Sequence, residues 1–103
     1  MKIGGLILAA AILSGASPAW AADASAGHDM ALAKCSRCHS VEAKGSSPLP
    51  AAPPFRRLHE RYPVADLEEA LTEGILVGHS PMPDFAFSST ETTDLIAYLK
   101  TLE

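Results

Sequence analysis

Cys35-Ser36-Arg37-Cys38-His39 holds two thiols three residues apart with an imidazole directly after them. On a helical turn, residues three apart share one face, so both sulfurs reach the two vinyl groups along one edge of a porphyrin. The spacing therefore suits covalent haem attachment, with Ser36 and Arg37 as spacers. His39 is then carried beneath the ring, where one nitrogen can bind iron while the other is held by a hydrogen bond that sets tautomer and orientation.

Three other chemistries use the same residues: a dithiol redox centre, half of a zinc site, or a simple disulfide. A zinc site is short of ligands. The remaining imidazoles are His28, His59 and His79, with none of the paired spacing that structural zinc requires. A thioredoxin-type dithiol needs a βαβ context, and no strand pattern is present.

A haem iron bound by one histidine has a sixth position, and Met82 is the candidate for it. Its thioether is a soft, neutral ligand that favours ferrous iron and raises the reduction potential. Pro81 and Pro83 bracket it and hold the segment extended. The plain alternative is a gap-filling core methionine. Met30 reads as core or helix surface, and His28 and His59 as surface or packing residues. His79, three residues before Met82, is the rival ligand, and a bis-histidine iron would have a lower potential.

The elements that must position these groups follow from the pattern around them. Asp23 or Ser25 can cap a first helix running into the cysteines, with Gly27, Ala31 and Cys35 at intervals of four. From Ser40 to Pro53, glycine, serine and proline forbid a long regular element, leaving a loop able to wrap a haem edge. Pro54 suits the start of a short helix with Phe55, Leu58 and Tyr62 on one side. After Pro63, Val64, Leu67, Leu71 and Ile75 form an apolar stripe on a helix expected to end near Gly78. Ser88-Ser89-Thr90-Glu91 is a capping box, followed by Leu95, Tyr98, Leu99 and Leu102 at helical spacing.

Composition narrows the setting. Met1-Lys2, the apolar run from Ile3 to Leu13 and the Ala19-Trp20-Ala21 site form a secretory leader, residues 1–21, cleaved after Ala21. The run is too short to span a bilayer comfortably, so no stable membrane insertion is expected after cleavage. Residues 22–103 then make one small domain, and its location is expected to be periplasmic. Both cysteines lie in the motif, so no disulfide framework staples so short a chain, and a buried macrocycle would add to its thin core. The full chain carries 8 basic and 12 acidic residues. Loss of Lys2 makes the balance more acidic, which argues against nucleic acid as a partner. Asp66, Glu68, Glu69 and Glu73 cluster on what reads as a solvated helix face, with a docking patch for a redox partner as the alternative.

Taken together, CSRCH at 35–39, Gly27 eight positions before the first cysteine, APPF at 52–55, SPMPDF at 80–85 and DLIAYLK at 94–100 resemble the small bacterial class I, monohaem cytochromes c. That resemblance implies an all-α cytochrome c fold, three to four helices wrapped around one covalently attached haem c. It implies thioethers from Cys35 and Cys38, iron held by His39 and Met82, and Gly27 meeting the terminal helix near Leu95 and Tyr98. The family also uses a proline carbonyl to accept the proximal histidine's hydrogen bond; Pro48, Pro50, Pro53 and Pro54 are all candidates. Ala31 departs from the family, which often carries an aromatic there, so the helix contact should be thinner unless Tyr98 or Phe55 compensates. Arg56, Arg57 and Tyr62 are candidates for the haem propionates, with a solvated surface role the alternative.

The function expected is transfer of single electrons between redox partner proteins, without catalysis, by a monomer or a subunit of a complex. The alternatives are a cytochrome subunit permanently bound to a periplasmic dehydrogenase or oxidase, and a five-coordinate haem enzyme or ligand sensor. An open coordination position with polar distal groups would mark the last.

Overall fold

Asp23 starts the first helix: its carboxylate accepts the Ala26 N–H at 3.1 Å, which caps α1, Ala24–Lys34. The computed structural model describes residues 21–74 and 82–103. After α1 the chain runs through a turn at the cysteines and a long irregular loop into a 3₁₀ helix, Phe55–Glu60. A one-turn 3₁₀ segment, Val64–Asp66, leads into α2, Leu67–Glu73, and the chain ends in α3, Ser89–Thr101. No strand occurs among the described residues, and the architecture is all-α.

α1 buries little of itself. Only Gly27 and Ala31 are fully covered, and they make the face that meets α3. A β-carbon built on Gly27 would lie 2.0 Å from the Asp94 carbonyl oxygen and 3.0 Å from Leu95 Cα. Two helix backbones touch there, and only glycine leaves room. The Asp23 N–H also donates to Asp94 Oδ1 at 2.8 Å, which ties the head of α1 to α3.

α3 is the core's main wall. Ser88 Oγ accepts from the Glu91 N–H at 3.1 Å and Glu91 Oε1 accepts from the Ser88 N–H at 2.9 Å, the reciprocal capping box its sequence predicts. Leu95, Ile96, Tyr98 and Leu99 are buried, packed with Ala31, Val41, Phe55, Leu58, Val64 and Phe87.

Two sequence expectations shift. Tyr62 does not share a face with Phe55 and Leu58; those two are buried while Tyr62 is exposed. The 3₁₀ helix has about three residues per turn, so positions 55 and 58 eclipse, and it ends at Glu60, which leaves Tyr62 beyond it. The helix bearing Leu67 and Leu71 stops at Gly74, short of Gly78. Gly74 takes the left-handed conformation, φ 75°, and its N–H returns to the Ala70 carbonyl at 3.0 Å. The apolar residues that follow made the helix look longer. Ile75, Gly78, His79 and Pro81 fall outside the described residues, as does the leader through Trp20. No helix among the described residues is long and apolar enough to cross a membrane.

Candidate functional site

The end of α1 sets the geometry of the cysteines. Cys35 is the C-cap, its N–H bonded to the Ala31 carbonyl at 2.9 Å. Its own carbonyl accepts from the Cys38 and His39 N–H groups at 3.2 and 3.0 Å. One tight turn thus holds both thiols and the imidazole, as the spacing requires. Both cysteines are free. Burial pushes the Cys35 thiol up to about 11, so it stays protonated at neutral pH. A reactive dithiol centre needs the opposite, a depressed thiol.

His39 is oriented from the far side of the loop. Its Nδ1 lies 2.8 Å from the Pro53 carbonyl oxygen, the partner needed to hold the ring with Nε2 facing away. Of the four candidate prolines, Pro53 is the one used, and nothing in their sequence distinguished it. The Phe55 ring sits beside the imidazole at 5.0 Å between centroids. Phe55 also donates its N–H to the Ser40 carbonyl at 2.9 Å, which closes the loop immediately beyond His39 and Pro53.

Met82 comes from a different part of the chain, at the head of the extended stretch that enters α3. Its side chain is 42 % exposed, so it does not fill the core. The stretch behind it is anchored: Phe87 is buried and donates its N–H to the Leu71 carbonyl at 2.9 Å, and Phe85 stacks on Phe87 at 5.4 Å. Asp84 packs close against Gly74, where a β-carbon would meet its Oδ1 at 2.8 Å.

The family model for cytochrome c matches residues 24–103. Cytochrome c-552 of Bradyrhizobium diazoefficiens is 36 % identical over 103 residues, covering 99 % of this chain and 96 % of that protein. The chain belongs to the cytochrome c family. No solved structure matches it. Membership makes it a haem electron-transfer protein with covalently bound haem c and its iron as cofactor. The residues fit that group: Cys35 and Cys38 make a CxxCH-type site, and His39 has one ring nitrogen already spent on protein. Among the described residues no three His, Cys, Asp or Glu side chains are grouped to hold a bare metal ion.

The other cytochrome expectations sort by contact. His28 is a packing residue, its ring stacked on Tyr98 at 4.6 Å and 24°, with Nε2 2.7 Å from Glu42 Oε2. It supplies, one turn earlier on α1, the aromatic surface that Ala31 lacks. A search confined to position 31 misses it; the (i, i+3) neighbour was the signal. Tyr98 continues the clamp by donating its hydroxyl to the Val41 carbonyl, two residues past His39. Met30 packs half-buried against the core.

The three residues named for the propionates differ in setting. Arg56 Nη1 donates to the Gly45 carbonyl at 2.8 Å, Arg57 pairs with Glu60 at 3.7 Å, and Tyr62 is on the surface. Asp66, Glu68, Glu69 and Glu73 are all exposed. Glu68 and Glu69 stand in the first turn of α2, where negative charge complements the helix dipole, a structural use that fits the solvated-face reading.

Proposed function

We propose that this cytochrome is a periplasmic, freely diffusing carrier of single electrons, with Cys35 and Cys38 as the thioether positions and His39 and Met82 as the axial ligands. When bound, the haem supplies a one-electron ferric/ferrous couple. The observation that carries the reading is the 2.8 Å bond between His39 Nδ1 and the Pro53 carbonyl. It leaves Nε2 as the nitrogen for iron and fixes the tautomer and orientation of the ring.

Met82 supports closure of the opposite side. Its thioether is uncommitted to the core, and Phe85 and Phe87 tether the segment a few residues on. A carrier works best when both ligands stay in place through the cycle, because little then has to reorganise. His39 sits in a turn closed by backbone hydrogen bonds, and the segment that carries Met82 is tied down at Phe87. Docking to redox partners would be small and short-lived, as such encounters are. Export is supported by the apolar run and A-x-A site before Ala22.

The test is optical. Ferric holoprotein should be six-coordinate and low-spin with a thioether-to-iron charge-transfer band, and Met82→Ala should abolish that band. High-spin ferric haem that takes up small ligands readily would reject the carrier, and an unchanged band in Met82→Ala would reject Met82. Sequencing the mature protein from its N-terminus should begin at Ala22. Elution at stoichiometric yield with a catalytic subunit would reject free diffusion.

A further inference from the structure

The residue after His39 is a buried serine whose polar atoms are all committed. Ser40 donates its N–H to Ser47 Oγ at 3.0 Å and its hydroxyl to the Lys44 carbonyl at 3.2 Å. Its carbonyl accepts the Phe55 N–H at 2.9 Å. Arg56 then reaches across, with Nη1 2.8 Å from the Gly45 carbonyl and 3.4 Å from Ser40 Oγ. Gly45, at φ 100°, makes the bend that aims its carbonyl there.

These contacts join two short strings of residues: 39 and 40 on one side, 53 to 56 on the other. His39 bonds Pro53; Ser40 bonds Phe55; Ser40 and Gly45 take Arg56. The His39 hydrogen bond is therefore the first rung of a short ladder whose last rung is a charged donor. Charge-assisted bonds of this kind are the strong ones, and the rigid plane of the guanidinium fixes Nη1 between its two acceptors, where an ammonium on a flexible stem loses more freedom to stay.

We propose that Arg56 and Ser40 are positioning residues for His39: by clamping the 40–47 loop to the 53–56 segment they set the length of the His39–Pro53 hydrogen bond, and through it the reduction potential. The inference rests on His39 being the iron ligand. A tighter Nδ1–H···O bond makes the imidazole a better donor, which favours ferric iron and lowers the potential. Loosening the clamp must then raise it. Charge alone predicts otherwise, because taking away a cation also favours the ferric form; a charge-preserving substitution separates the two effects.

The experiment uses haem-loaded protein in the diamagnetic ferrous state, labelled with ¹⁵N-histidine. It compares wild type, Arg56→Lys, Ser40→Ala and, as a neighbouring control, Arg57→Lys. Three quantities are read: the ring-proton shifts of His39, the solvent exchange rate of its Nδ1–H, and the reduction potential. The expected result for Arg56→Lys is exchange faster by about tenfold, as loss of a charge-assisted contact implies, with an upward shift of potential. Ser40→Ala should move both the same way and Arg57→Lys neither. Unchanged exchange and potential in both Arg56→Lys and Ser40→Ala would overturn the clamp, as would an equal response in Arg57→Lys. Wild-type His39 ring protons lacking the upfield displacement of an imidazole held against a porphyrin would overturn the ligand assignment itself, a failure visible before any variant is compared.

Discussion

Gly27→Ala carries the sharpest consequence of the helix contact that frames the haem site. An added β-carbon would sit 2.0 Å from the Asp94 carbonyl oxygen and 2.6 Å from its carbon, both backbone atoms that no rotamer change can move. Ordinary contact begins near 3.4 Å, so α1 and α3 must part by about 1.4 Å. A gap of 0.5 to 1 Å, roughly, already forfeits a quarter to a half of the dispersion well, and overpacking of this kind costs about 3 kcal/mol at the upper end of its usual range. The Asp23 N–H to Asp94 Oδ1 bond loosens with it, at about 1 kcal/mol. Alanine's better helix propensity returns about 1 kcal/mol. The net loss is about 3 kcal/mol, or a fall in melting temperature of roughly 12 to 24 °C for a domain this small. Thermal unfolding of the ferric holoprotein, followed by circular dichroism, measures it. Ala33→Gly, on the exposed side of the same helix, should cost only about 1 kcal/mol through propensity. A neutral or stabilised Gly27→Ala would refute the close backbone approach, since propensity would then be the larger effect.

The remaining predictions are smaller in scale. Ser88→Ala removes half of the capping box on α3 and should cost about 1 kcal/mol in denaturant titration, with Glu91→Ala non-additive because the two bonds are reciprocal. His28→Ala should lose about 1 kcal/mol from the stack on Tyr98, and His28→Phe should recover most of it; equal losses would mean the Glu42 contact, not the ring, carries the effect. Tyr98 has its phenol raised above the ordinary 10.0 by burial, then by the charge and hydrogen bond of Glu42. The folded state thus holds this proton more tightly than the unfolded chain, so its contribution is complete below pH 10 and is lost as the pH climbs through the folded value. Unfolding midpoints should fall above that pH, and Tyr98→Phe should flatten the slope. An identical slope in Tyr98→Phe would assign it to other groups.

What was legible in this chain divides along a physical line. The CxxCH turn, the capping box at Ser88 and the glycine at position 27 are local or steric requirements, each met by few residue types, and all three stand where their letters imply. The 55–62 segment misled because apolar spacing of three and four cannot tell a 3₁₀ turn from an α-helix until the far residue, Tyr62, is seen to face water. The end of α2 misled because the apolar letters run on past Gly74, whereas the left-handed conformation that stops the helix there leaves no mark in an apolar stripe. Least legible were the contacts that support His39. Pro53 acts through a carbonyl every residue possesses, and Arg56 acts through carbonyl and hydroxyl groups eleven and sixteen residues away, so neither leaves a periodic trace. Arg56 stands out in sequence as a propionate candidate because its charge is visible there, while its contacts with Gly45 and Ser40 are not. The CxxCH-type site is thus written in the motif, whereas the orientation of the His39 ring is written in the loop that folds back over it.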